Sequence, residues 1–219
     1  IDSSKVFKDY KKIFNLENLD LIIISTTTDL HYFYLKKSIE KNIKYILVEK
    51  PLCRSLEEID EIQKRLKGKN IRLLVNQNQK ETFEFKKIQS IVKKYNLGKL
   101  LSMTVLGGNM GFAMNGVHYL DTFQHITGTL LNEVSANFEN AKVYNPRGKK
   151  FLDNAGIIVS KNKFNQKIII NISAEQGHAR QISLAYRTGI LNFNLISGRL
   201  ELNFRQKKFI KKPTYLYAL

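Results

Sequence analysis

Asp20-Leu21-Ile22-Ile23-Ile24-Ser25-Thr26-Thr27-Thr28-Asp29 decides the fold. Its run of consecutive apolar residues is too short for a helix and fits a strand covered on both faces in a parallel sheet. The threonines and Asp29 then offer capping groups to an amphipathic helix over residues 30–41. Upstream, residues 6–14 read as a short surface helix that ends before Asn15-Leu16-Glu17-Asn18. Downstream the unit repeats. Tyr45-Ile46-Leu47-Val48 is a second buried strand, Ser55 and Glu58 form a capping box, residues 56–66 are helical, and residues 71–75 give a third strand. Strands and helices alternating over short connections imply right-handed crossovers and a doubly wound parallel sheet.

Residues 82–95 read as a further helix, closed by Asn96-Leu97-Gly98 with Gly98 placed for the left-handed conformation. Beyond Gly98 the period changes. Residues 100–106 are strand-like, residues 115–127 are helical and closed by Gly128, and short alternating strands follow at 157–160, 167–173, 181–186, 190–195 and 200–204. The expected organisation is α/β throughout: a partial doubly wound sheet over residues 1–98, then an α/β domain with an open, mostly antiparallel sheet over residues 99–219.

At 219 residues and 43% hydrophobic, the chain can bury one good core or two smaller ones. Its apolar runs fall far short of the roughly 20 residues of a membrane span. A lone cysteine, Cys53, has no internal disulfide partner and no metal-ligand spacing around it, which suits a reducing cytoplasm. The formal charge of +17 raises a polyanion partner. However, 28 lysines and 8 arginines spread along the chain among Ile and Asn read as solvated faces, and no specific nucleic-acid partner is expected. The first residue is Ile1 with no signal-like segment after it, so the chain is expected to be the greater part of a longer protein.

In open parallel sheets, ligands bind beyond the carboxyl ends of the strands. Two loops stand there, 26–31 and 49–52. Pro51 drives Lys50 away from helical angles and permits a cis bond, so the chain can turn and throw the lysine into the crevice. A lysine partly desolvated in such a crevice exchanges protons nearer neutrality. A solvated Glu49–Lys50 loop pair is the plain alternative. In the second half, His118, Asp121 and His125 stand at i, i+3 and i+7 on one helix face. A metal set and a His–Asp pair handling protons both fit that spacing; the pair is the more economical, and no metal is expected.

Together, Asp20-Leu21-Ile22-Ile23-Ile24-Ser25-Thr26 with His31, then Val48-Glu49-Lys50-Pro51-Leu52, then Gly116-Val117-His118-Tyr119-Leu120-Asp121 resemble the Gfo/Idh/MocA oxidoreductases in order, spacing and context. The resemblance implies a Rossmann domain for NAD or NADP, a C-terminal sheet that often mediates homo-oligomers, and sugar, cyclitol or nucleotide-sugar substrates. It makes Lys50 the lysine that approaches nicotinamide and substrate hydroxyl, His118 the acid or base, and Asp121 an orienting carboxylate. Thr26, Thr27, Thr28, His31, Glu49 and Asn78 become the cofactor-lining residues. The expected function is hydride transfer between a nicotinamide and a hydroxyl or keto carbon, with the substrate alcohol handled by Lys50 and His118. The alternative is a non-catalytic relative used for binding or assembly.

Four departures from the family pattern stand out. The glycine-rich phosphate loop and the ribose selector are absent from these residues, so NAD and NADP are not distinguished. Met114 stands where many members carry an aspartate four residues before the histidine. Thr27 replaces a common proline, and Gln79-Lys80 stands where arginine is common. The stretch between Lys99 and Asn115 is also short, which implies a re-shaped pocket.

Overall fold

The structure is a computed structural model that describes residues 6–145, 148, 151–177 and 180–205. It divides into two compact units, Ile1–Gln77 and Asn78–Leu219. In the first, the order is α1 (Tyr10–Phe14), β1 (Leu21–Ile24), α2 (Thr28–Glu40), β2 (Tyr45–Glu49), α3 (Leu56–Leu66) and β3 (Arg72–Asn76). The three strands form a parallel sheet in the order β1-β2-β3, with Ile22 beside Ile46 and Ile46 beside Leu73.

Because the strand order advances in one direction, successive right-handed crossovers place their helices on the same face. Ile24, Ile46 and Val48 are buried there with Leu35 and Ile39 of α2 and Ile62 of α3. The other face is open: Ile23 is 60% and Leu74 65% exposed, and Leu21 is exposed beside them. The strand at 21–24 is therefore covered on one face, not on both as its composition suggests. An apolar run records what a strand can bury, not how many layers are present to bury it. Ile46→Ala is expected to cost about 2–5 kcal/mol, the range for deleting a buried aliphatic side chain. Leu74→Ala, on the open face, should stay within about 0.5 kcal/mol. Paired denaturant melts measure both; equal losses would mean that the open face is covered.

Local signals are realised unevenly. Ser55 Oγ accepts from the Glu58 amide, but the Glu58 carboxylate returns to the amide and guanidinium of Arg54 instead of the Ser55 amide, so only half of the capping box forms. Burial pushes the Glu58 carboxyl up, and the Arg54 contacts outweigh it and hold the group below the usual range. Thr27 caps α2 through its backbone, without a side-chain bond. The first helix is shorter than expected and starts at Asp9, whose carboxylate accepts from the Lys11 amide.

The second unit contains a 3-10 turn (Gln79–Glu81), α4 (Phe83–Lys94), β4 (Leu100–Gly108), a π-helical turn (Phe112–Gly116), α5 (Val117–Thr127) and β5 (Leu131–Tyr144), followed by β6 (Leu152–Asn162), β7 (Lys167–Ser173), β8 (Arg180–Tyr186), β9 (Gly189–Asn194) and β10 (Leu200–Phe204). These strands form one sheet in the order β10-β9-β8-β4-β7-β6-β5. It is antiparallel except where β4 lies parallel to β7, so it is not a pure meander. The division falls at 77/78 and not near Gly98, because Phe85 and Ile88 of α4 are buried in the second core with Met103, Val105 and Phe123. On the outer face of this sheet Leu106, Ile157, Val159 and Ile190 remain exposed. Among the described residues, no helix is long and apolar enough to cross a membrane.

Candidate functional site

In the first unit the polar candidates gather at the carboxyl ends of the strands, where register puts the last residues of β2 and β3 side by side. Glu49 and Asn76 are such a pair, and the Asn76 amide donates to Glu49 Oε1 at 2.6 Å, fixing the carboxylate next to Lys50. The Lys50–Pro51 peptide is cis. Proline leaves its carbonyl at the turn, and this carbonyl is held by an imidazole: His31 Nδ1 lies 2.8 Å from Pro51 O, and Nε2 lies 3.1 Å from Thr26 O.

One side chain from α2 thus sits between the loop after β1 and the loop after β2, and its neutral ring, with a single N–H, donates to one of the two carbonyls and packs against the other. His31 is only 1% exposed. Of the residues expected to line a cofactor, Thr26, Thr27, Thr28, Glu49 and Lys50 stand partly accessible at these strand ends, while the His31 ring lies beneath them as a strut. Cys53, just beyond, is a buried thiol pushed up to about 11 by burial and, secondarily, by Glu58. It stays protonated near neutrality and is no nucleophile.

In the second unit, Asn78 is exposed and opens the 3-10 turn, its carbonyl accepting from the Glu81 amide at 2.9 Å. It belongs to a different compact unit from the other cofactor candidates. The same turn carries Lys80, whose Nζ reaches Asp121 Oδ2 at 3.0 Å and Oδ1 at 3.3 Å. Asp121 is therefore ion-paired and links α5 to the turn. A partly exposed pair of this kind is worth at most about 1 kcal/mol, and its value is geometric. One residue before Lys80 stands Gln79; burial raises the phenol of Tyr119, and the nearby Gln79 side chain and Arg180 oppose the rise.

His118, the second residue of α5, is half-buried one turn before Asp121. His125 is exposed two turns further on and lines a separate cleft of about 540 Å³ with Gln89, Lys93, Lys99 and Tyr186. Among the described residues, no three His, Cys, Asp or Glu side chains converge as metal ligands.

Sequence reasoning missed Asn76, and it noted Lys80 only as a replacement for a common arginine without its partner Asp121. Asn76 ends a recognised strand and was recoverable from sheet register. Lys80 forms its pair across 41 residues, a separation at which sequence carries no local signal.

The residues present fit one end of a dinucleotide. Hydroxyls, a fixed carboxylate and a lysine meet where the strands end, and the amides of α2 open onto the same loops. The first unit holds a single glycine, Gly68, which closes α3, so no phosphate-cradling glycine loop lies within it.

Comparison with known proteins agrees with this partition. Residues 2–77 match the family model described as oxidoreductase family, NAD-binding Rossmann fold, and so cover the first compact unit. Over 154 residues the chain is 27% identical to the uncharacterized oxidoreductase YrbE of Bacillus subtilis, an alignment that covers 64% of this chain and 44% of that protein. The chain therefore spans less than half of the curated relative. UDP-N-acetylglucosamine 3-dehydrogenase GnnA from Acidithiobacillus ferrooxidans superposes with a TM-score of 0.71 at 14% identity, over 92% of this chain and 66% of that one. The WlbA dehydrogenase from Bordetella pertussis, solved with NADH and UDP-GlcNAcA, gives 0.71 at 14% identity over 90% and 67%. Apo scyllo-inositol dehydrogenase from Lactobacillus casei gives 0.67 at 15% identity over 85% and 60%. At these identities the superpositions establish the fold.

Proposed function

We propose, from the premise that residues 2–77 belong to the Gfo/Idh/MocA oxidoreductase family with its NAD-binding Rossmann fold, that the protein oxidises or reduces a hydroxyl or keto carbon of a sugar, cyclitol or nucleotide sugar. The observation that carries the proposal is the fixed strand-end group: Glu49 held by Asn76, and the Lys50–Pro51 turn held through His31. Fold alone does not select a chemistry, and this group is what supports the reading.

When bound, NAD or NADP supplies the hydride acceptor or donor. Thr26, Thr27, Thr28 and Glu49 of the first unit would hold it, and Asn78, in the second unit, is proposed from its place in the sequence alone. Lys50 presents its ammonium to the substrate oxygen and stabilises the negative charge that grows there as the C–H bond breaks. His118, of the second unit, is proposed in its own right as an acid or base: a hydroxyl proton would pass to its imidazole as a carbonyl forms, and reduction would return it. Asp121, fixed by Lys80, orients α5 and does not carry the proton. The exposed apolar positions on the outer face of the large sheet are assigned to pairing between copies of the chain.

The substrate class follows relatives of the same fold that act on UDP-N-acetylglucosamine and scyllo-inositol. The test is a panel of these two compounds and simple hexoses with each nicotinamide, followed by the absorbance of the reduced cofactor. Turnover of at least one polyol is expected. Silence across the panel, with no nicotinamide binding, would favour a non-catalytic relative.

A further inference from the structure

The turn that leads into α5 is anchored from a distant strand. Phe112–Gly116 is a single π-helical turn, closed by the Gly116 amide on Gly111 O at 3.2 Å, and it runs directly into the helix that bears His118. The first amides of such a turn have no acceptor within it. Here two of them are met by Asp153 of β6: Ala113 N donates to Oδ1 at 3.0 Å and Met114 N to Oδ2 at 2.8 Å, while the Asn154 amide also donates to Oδ1 at 2.8 Å. Asp153 is only 6% exposed, so this is a buried carboxylate whose two oxygens are both spent on backbone amides.

The fit extends to residue 111. A Cβ on Gly111 would fall 2.0 Å from the Asp153 carboxyl carbon, so that position admits only glycine while the carboxylate is in place. Negative charge at the opening of a helical segment also interacts favourably with its aligned peptide dipoles. Burying a carboxylate is costly unless it is paired or hydrogen-bonded, and a buried one spent on a turn has that turn as its purpose.

We infer that Asp153 is the positioning residue of the second unit: by clamping the amides of Ala113 and Met114 it fixes the start and rotation of α5, and through them the place of His118. It touches no reacting atom. The catalytic use of His118 rests on the proposed function, but the clamp does not. Its test therefore reads the protein without substrate or cofactor.

In the complete wild-type protein, amide hydrogen exchange at Ala113 and Met114 should be slowed at least tenfold relative to unstructured amides, although Ala113 lies at the surface. Free exchange at both would overturn the inference. Asp153→Asn turns an amide group toward one backbone N–H. It should restore fast exchange at 113–114 and shift the His118 imidazole resonances, leaving protection in β7 at Ile170 intact. A purely structural aspartate would lower the melting temperature without moving the His118 signals, and that result in the folded variant would also overturn the inference. Should Asp153→Asn fail to fold, the wild-type exchange decides by itself. Loss of the clamp in a protein that never turns over a polyol would leave Asp153 as assigned and remove only the catalytic reading of His118.

Discussion

Lys50→Met in the complete protein is expected to lower turnover by roughly a hundred- to ten-thousand-fold, the range contributed by a positioned acid or base. Cofactor affinity should stay within a few-fold of wild type. Methionine keeps the length and the apolar stem of lysine and removes only the ammonium. Two contacts near the turn do not depend on that ammonium: the Asn76 amide donates to Glu49, and His31 Nδ1 lies 2.8 Å from the Pro51 carbonyl. The variant thus separates charge from architecture. Single-turnover kinetics beside a cofactor titration measure the two quantities. Turnover retained within threefold would remove Lys50 from the chemistry.

His118→Gln is expected to cost a similar factor in turnover, roughly a hundredfold or more, because glutamine cannot take a proton from a hydroxyl. Its effect on folding should be small. Glutamine is a good helix former, and α5 is fastened independently by the Lys80–Asp121 pair at 3.0 Å and by the buried ring of Tyr119. A melting temperature unchanged within a few degrees together with lost turnover supports a proton-handling role. Unchanged turnover contradicts it and shifts attention to Lys50 as the sole proton carrier.

The parallel sheet was legible because its information is local. Leu21–Ile24 and Tyr45–Glu49 each carry a whole strand in one apolar run, and the hydroxyls and proline that follow mark the strand ends where ligands collect. What was not legible depends on layers and partners. The open face bearing Ile23 and Leu74 has the same composition as a covered one, and only the one-sided crossovers show which face is bare. β5 passed unrecognised because it is an edge strand with most side chains exposed, so no apolar period marks it.

The unit boundary shifted because α4 has an amphipathic pattern that would suit either core, and the burial of Phe85 and Ile88 assigns it to the second. The site followed the same rule. Lys50 and His118 are candidates that short motifs single out. Lys80 and Asp153 act across 41 residues to Asp121 and about 40 to Ala113 and Met114, and long-range pairing leaves no trace in spacing. Met114 illustrates the limit. Its side chain stands where the family resemblance leads to the expectation of an aspartate, and its backbone amide is where a carboxylate from β6 lands.

The strand-end group of the first unit is proposed to hold a nicotinamide dinucleotide. The most direct test is a titration of the complete protein with NADH and NADPH, followed by the fluorescence of the reduced nicotinamide. Saturable binding of at least one cofactor is expected, weakened at least tenfold by Glu49→Ala and little changed by Lys50→Met. Linear, non-saturating signals with both cofactors would contradict the claim.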